Sequence, residues 1–375
     1  MSDVPAMDVG GRAQRLIDAI GASAQRAFLV TKPVNVRWLS GFTGSNGALV
    51  VSPNEPLRLF TDGRYEEQAQ LETAAAGVEV ELTISRANDA DIAAYLCALG
   101  VEACSVESHH LSVDRSNQFA AAAPSVVFEP AGPVIDALRR PKDVGEIARL
   151  RRAADIADRA LAQHEAAITA GGMTERAFAL SLESAMFDLG ADGLSFDTIV
   201  ASGPNSTRPH ARPSQRVLTP GDLVVIDFGA SVDGYGSDMT RTLAVGADPT
   251  DDQQALYAAV EEAQAAGVAA VRAGVEQVTI DAACRSVLAR HGLAEAFIHG
   301  TGHGIGLEIH EQPILSARSV GILPADLVVT VEPGAYVADR GGVRVEDSVV
   351  VTTDGCDPIT HFPKGLVPWL SLPMT

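Results

Sequence analysis

Two apolar runs in the second half of this chain each lead into an acid, and that arrangement restricts the fold more than any other feature. Leu223-Val224-Val225-Ile226 leads into Asp227, and Leu327-Val328-Val329-Thr330-Val331 leads into Glu332. Near-continuous runs of branched aliphatic residues are the pattern of buried strands. A carboxylate in such a strand costs on the order of several kcal/mol unless it is paired or bound to a cation. Each of these acids is followed by a reversal and a second acid. Gly229, Gly234 and Gly236 lie between Asp227 and Asp238, and Asp339-Arg340-Gly341-Gly342 precedes Val343-Arg344-Val345-Glu346. Taken alone, two aspartates beside a glycine-rich reversal also describe a solvated turn. Four acids at the ends or inner faces of four apolar strands do not, because their mutual repulsion calls for cations between them. Strand alternation puts Arg344 and Glu346 on one face and Val343 and Val345 on the other. Two hairpins are therefore expected to bring Asp227, Asp238, Glu332 and Glu346 to one place.

The histidines extend this constellation. His299-Gly300-Thr301-Gly302-His303-Gly304-Ile305-Gly306 holds four glycines in seven residues, which excludes a stable helix but lets backbone approach a site closely. His310 follows, next to Glu311. A zincin HExxH motif is ruled out because position 314 is Ile314. One imidazole, that of His303, with four carboxylates suits hard or borderline divalent ions such as Mn²⁺, Co²⁺ or Zn²⁺ rather than copper. Five ligands, some of them bridging, fit two ions better than one, and paired ions serve hydrolysis of a carbonyl or phosphoryl compound. The formal net charge of −20 disfavours a phosphorylated substrate and leaves an amide as first choice. The same charge argues against nucleic acid and anionic membrane as partners.

The 375 residues suit two domains. Residues 12–135 read as alternating short strands and helices, an α/β layer; Ala27 to Val30, Gly47 to Val51 and Arg58 to Thr61 are strands and Asp89 to Leu99 a helix. The basic, proline-containing stretch Leu138 to Lys142 marks a break. Asp143 and Glu146 have capping-box spacing, and Ile147, Leu150, Ala154, Ala157 and Leu161 recur on one helical face. Further helices are expected over Glu175 to Leu189 and Asp252 to Arg272, and strands over Leu223 to Phe228, Leu327 to Glu332 and Val343 to Val351. This second half reads as α+β, with a faint suggestion of two related halves. The boundaries assigned are 1–138, a linker 139–143, a catalytic domain 144–360 and a C-terminal tail 361–375. No pair of the four cysteines has CxxC spacing, and reduced thiols are expected. The N-terminus lacks the apolar core of a signal peptide and no run is long enough to span a bilayer, so the cytoplasm is the expected home.

These motifs, in order, resemble the pita-bread metallopeptidases, the family of Xaa-Pro aminopeptidase, prolidase and methionine aminopeptidase. The resemblance runs through Pro204-Asn205 to His210, Asp227-Phe228-Gly229, Ser237-Asp238 to Thr242, His299 to Glu311, Glu332-Pro333-Gly334 and Gly342 to Asp347. Asn35 to Gly47 and Thr61-Asp62-Gly63-Arg64-Tyr65 are similar to the creatinase/prolidase-type N-terminal domain, which methionine aminopeptidases lack. The resemblance implies an N-terminal α/β domain followed by a pita-bread domain, a curved antiparallel sheet covered by helices. It implies two divalent ions, Mn²⁺ first and Co²⁺ or Zn²⁺ as alternatives. Asp227 would hold one ion, Asp238 and Glu346 would bridge both, and His303 and Glu332 would complete the second. Glu332 would also accept a proton from the attacking water. His210 and His310 would stabilise the substrate carbonyl and the intermediate. His299 would line the proline pocket or merely satisfy loop backbone, and Arg344 would orient a ligand or sit as a plain strand residue. Trp38 would reach a neighbouring subunit or pack in its own core. The implied activity is cleavage between an N-terminal residue and a following proline, by an aminopeptidase or alternatively a dipeptidase, in a homodimer acting on proline-containing peptides. A metal-free creatinase-like hydrolase and a non-catalytic binding homologue are the rivals, and both usually lose ligands that are intact here. Some prolidases carry an Arg shortly after the His-Glu pair, where this chain has Ile314, which leans towards longer peptides.

Overall fold

A computed structural model describes residues 4–21, 25–53 and 55–366. Backbone contacts divide the chain between Arg139 and Arg140 into two compact units, Ala6–Arg139 and the remainder, which also includes Val4 and Pro5.

The first unit is built on one six-stranded sheet. Its order is Val80–Ile84, Leu57–Thr61, Gly47–Val51, Arg26–Val30, Ala103–Val106 and Val127–Pro130. The two central junctions are antiparallel and the outer three parallel. Parallel neighbours need a crossover, and helices Glu66–Ala75 and Val113–Ala122 supply two of them. Leu29, Val50, Phe60, Ile92, Leu96 and Phe119 form the core under the strands. Trp38 is 2% exposed, with the Arg12 guanidinium 4.9 Å over its ring and an Arg12 Nη1 bond to its carbonyl at 2.8 Å. That is the core-packing alternative of the two expected for Trp38.

The second unit repeats one order of elements. Helices Val144–Ala162 and Glu175–Asp188 precede strands Ile199–Ser202, Leu223–Phe228 and Met239–Ala244; helices Asp251–Ala270 and Gln277–Arg290 precede Gly302–Gly304, Glu311–Leu315, Val328–Val331 and Asp347–Val351. Capping boxes start the first helix of each set, Asp143 with Glu146 and Thr250 with Gln253. Such caps satisfy orphan N–H groups and are worth about 1 kcal/mol each. Each helix pair covers its own sheet. Phe178, Leu182 and Met186 pack on Val224, Ile226 and Phe228, and Leu256, Val260 and Ile280 on Val329, Val331 and Val349.

One expectation changes. The apolar run from Val343 is two strands, Gly341–Arg344 and Asp347–Val351. The first pairs with Gly334–Val337 and the second with Val328–Val331. Between them the backbone crosses to another sheet, where the Glu346 amide donates to the Thr240 carbonyl at 3.1 Å. Of the tail expected over 361–375, residues 361–366 are described and residues 367–375 lie outside the described residues. Phe362 is buried, and its carbonyl accepts two bonds from Arg241. The cysteines are free thiols, and Cys97 is exposed while Cys104 and Cys284 are buried. No helix among the described residues is long and apolar enough to cross a membrane.

Candidate metal centre

Strand pairing places the four acids. Leu223–Phe228 and Met239–Ala244 pair antiparallel with Asp227 opposite Thr240, so Asp238 sits one residue beyond the paired strand. The reversal between them contains a short extra hairpin, in which Asp233 and Gly234 adopt positive φ. In the other half, Val331 pairs with Asp347 and Gly334 with Arg344. Glu332 and Glu346 therefore occupy the two breaks between these ladders. A residue at a strand break can aim its side chain where neither sheet fills the space.

His303 enters between two glycines. A side chain at Gly302 would meet the Thr330 carbonyl oxygen at 2.0 Å, and one at Gly304 the Gln312 carbonyl oxygen at 2.6 Å. Only glycines on both sides allow this strand its depth. The His303 Nδ1 lies 3.1 Å from the Gly304 carbonyl, which fixes the proton on Nδ1. Its Nε2 then faces Asp238 Oδ2 and Glu332 Oε1, both at 3.5 Å. Burial holds the imidazole pKa down at about 4. At neutral pH this is a bare nitrogen lone pair facing two carboxyl groups, not an ion pair.

The acids show the same unmet demand. Ligand atoms of Asp238, His303 and Glu346 lie within 4.8 Å of one another. Burial, then Glu346, Asp227 and Glu332, raise the Asp238 pKa far above the carboxylate range, and burial with Glu332 and Asp227 does the same to Glu346. Burial lifts Glu332 to about 7, against the pull of Arg344. Asp227 Oδ2 takes a 2.6 Å bond from Arg344, while its Oδ1 is buried without a partner. A buried orphan oxygen, a lone pair and three repelling carboxyls fit divalent cations.

All nine residues named from the sequence line one cavity of about 730 Å³: Asp227, Asp238, His303, Glu332 and Glu346, with His210, His299, His310 and Arg344. His310 lies against His303, ring centroids 4.4 Å apart. His299 is held at both nitrogens, by the Gly300 carbonyl at 2.8 Å and the Tyr336 hydroxyl at 3.0 Å. Burial lowers its pKa to about 4. Arg344 is 2% exposed, so the plain strand reading fails. Besides Asp227 it donates to Thr240 Oγ1 at 3.0 Å, the Tyr336 hydroxyl at 2.8 Å and the Pro209 carbonyl at 3.2 Å. Thr240 passes this on to Glu346 Oε2 at 2.7 Å.

Thr240 and Tyr336 were not singled out from sequence. Thr240 shares strand parity with Asp238, and that alternation is the signal that finds it; Tyr336 lies on the next strand past the break at Glu332 and has no such signal. Lys142 was missed too. Its ammonium meets the buried Glu311 carboxylate at 2.8 Å and so braces the residue after His310.

One expectation about stability follows from these carboxyls. A carboxyl whose folded pKa is raised binds its proton more tightly folded than unfolded. The stability it contributes is complete below the unfolded value near 4.5 and is lost as pH climbs through the folded value. The lowered histidines, His299 and His303, act oppositely but only below their ordinary 6.5. From about pH 6.5, above which the histidines contribute little, up through about 7, where Glu332 titrates, the acids alone should dominate. Chelator-stripped protein should melt at a lower temperature at the upper pH, and Mn²⁺ should abolish the drop. A melting temperature that rises across this window would contradict the carboxyl assignment.

The family model of metallopeptidase family M24 matches residues 148–353, and that of the creatinase/prolidase N-terminal domain matches residues 12–140. An uncharacterized peptidase of Bacillus subtilis (strain 168) is 39% identical over 94% of this chain and 99% of its own. Among solved structures, an Xaa-Pro dipeptidase from Bacillus anthracis superposes with a TM-score of 0.89 at 38% identity, covering 95% of this chain and 98% of that one. An X-Pro aminopeptidase from Thermotoga maritima gives a TM-score of 0.87 at 35% identity, covering 95% and 99%.

Proposed function

The chain belongs to metallopeptidase family M24 and carries a creatinase/prolidase N-terminal domain, and from that premise we propose that it hydrolyses the peptide bond between an N-terminal residue and a following proline. Family membership implies divalent metal binding. The observation that carries the reading is the bare His303 Nε2, 3.5 Å from two carboxylate oxygens. Asp227, Asp238, His303, Glu332 and Glu346 would hold two ions. When bound, such ions polarise a carbonyl and activate water at neutral pH.

The protein's own groups would do the rest. Glu332, with its proton affinity tuned by burial to about 7, suits a proton acceptor operating near neutrality. His210 and His310 line the same cavity and would donate to the carbonyl oxygen as charge develops there. His299, neutral and locked by Tyr336, would offer a fixed ring face to proline. Arg344 would hold Asp227 in orientation. Mn²⁺ as the resident ion, with Co²⁺ and Zn²⁺ as alternatives, and a homodimeric, cytoplasmic enzyme complete the reading on the resemblance alone.

The test compares Ala-Pro with Ala-Ala peptides in chelator-stripped protein before and after adding Mn²⁺ or Co²⁺. Activity should require the metal, and proline should be preferred by about tenfold to hundredfold. Full activity without metal would remove the metallopeptidase reading, and equal cleavage of the two peptides would remove the proline claim alone.

A further inference from the structure

A short Xaa-Pro substrate brings a charge that the residues discussed so far do not meet. Its free carboxylate lies one residue beyond the scissile bond. Four acids line the candidate metal centre, so that carboxylate needs a cation further out in the same cavity. Arg344 is already committed to Asp227, Thr240, Tyr336 and Pro209. Ile314 lines the wall after His310 and offers no charge.

Two other guanidiniums line this cavity, those of Arg176 and Arg212. They belong to segments 36 residues apart in sequence (212 − 176) that a buried carboxylate stitches together. Glu175, fully buried, begins the helix that carries Arg176. Its Oε2 accepts from the Ser214 amide at 3.0 Å and the Ser214 hydroxyl at 2.6 Å. Its Oε1 accepts from the Ser202 amide at 2.7 Å and hydroxyl at 2.8 Å, and Asn205 reaches both oxygens at 3.0 Å. The Arg176 amide donates to the Ser214 carbonyl at 3.0 Å, so the backbone of Arg176 lies beside a residue two positions from Arg212. The loop that presents His210 also presents Arg212.

The backbone under these arginines is therefore fixed while their side chains are exposed. Among the described residues neither guanidinium has an ion-pair partner, although Glu183 and Asp197 line the same cavity. Neighbouring like charges without a counter-ion favour an anion, and a guanidinium matches a carboxylate with two parallel hydrogen bonds.

The geometry points to Arg176 and Arg212 as the anchor for the free C-terminal carboxylate of an Xaa-Pro dipeptide. With two cations elsewhere in the same cavity, an uncharged Ile314 is compatible with dipeptidase action. This inference rests on the Xaa-Pro reading and names the substrate end that selects dipeptides.

Mn²⁺-loaded protein would be assayed on Ala-Pro and on the C-terminal amide of Ala-Pro. The two differ only in the charge at issue. Wild type should favour the free acid in kcat/KM by about tenfold or more, the scale of a charge-assisted hydrogen bond. In the double variant Arg176→Gln/Arg212→Gln the acid-to-amide ratio should fall towards one. A ratio unchanged between wild type and variant, whether both rates fall or neither does, overturns the anchor and leaves the peptidase reading standing. Wild type that cleaves neither compound overturns the Xaa-Pro reading, and the anchor with it.

Discussion

Asp238→Ala is expected to remove turnover by a factor on the order of 10³ or more while leaving a folded protein. Loss of rate follows from position. Asp238 is 5% exposed, its Oδ2 is 3.5 Å from His303 Nε2, and it shares a pocket of ligand atoms with Glu346. Retention of fold follows from charge. In the metal-free protein burial and the surrounding acids disfavour the charged form of this carboxyl, so truncation removes a group held there at a cost rather than a needed partner. The bond from Ser348 Oγ to the Asp238 carbonyl, at 2.8 Å, is backbone and survives the change. Three measurements check this: kcat on an Xaa-Pro peptide, bound metal per chain, and melting temperature with and without Mn²⁺. Metal-free variant should melt at or above metal-free wild type, and added Mn²⁺ should stabilise wild type far more than the variant. Wild-type kcat in the variant would sink the metal assignment of Asp238.

How far the sequence reveals such a site depends on the range of the forces involved. The acids were legible because a carboxylate in an apolar run violates a local rule, and Asp227 and Glu332 do so visibly. The glycines around His303 were legible for the same reason. What escaped was set by contacts distant in sequence. The run from Val343 reads as one strand because its apolar pattern continues. It divides at Glu346 only because the partner ladders, Gly334–Val337 and Val328–Val331, are separate and Thr240 takes the Glu346 amide 106 positions away. Helix Gln277–Arg290 carries no side-chain cap at Glu276, so the usual start signal was missing. Arg344 could be placed on the Glu346 face by alternation, but its burial depends on Asp227, Thr240 and Pro209. The nearness of Arg176 to Arg212 depends on one buried glutamate, Glu175, whose partners lie 27 to 39 residues on.

Arg344→Met should be the most damaging change outside the metal ligands, because this side chain joins parts of the site that otherwise have no link. It ties Asp227 to Thr240 and hence to Glu346, and ties Tyr336, with His299 behind it, to the backbone of the loop bearing His210. Burial works against its charge, yet Tyr336, Asp227, Glu332 and Glu346 outweigh burial and hold the guanidinium protonated. Removing it leaves Asp227 with both oxygens unpartnered in metal-free protein, since Oδ1 has none already. Breaking a buried pair of this kind costs about 3–5 kcal/mol. Bound metal would give Asp227 another cation, so the cost should be smaller in the loaded enzyme. Denaturant unfolding with and without Mn²⁺ separates the two states. In the loaded enzyme kcat should fall about 10²-fold or more, because a displacement of about 1 Å in a reacting group has that effect. KM should move less, since the Arg344 guanidinium is already engaged by four protein partners. Arg344→Lys keeps the charge but cannot span Asp227, Thr240, Tyr336 and Pro209 together. It should recover much of the stability and little of the rate. If the lysine variant instead restores the rate in full, the role of Arg344 is charge alone and not the joining of these groups.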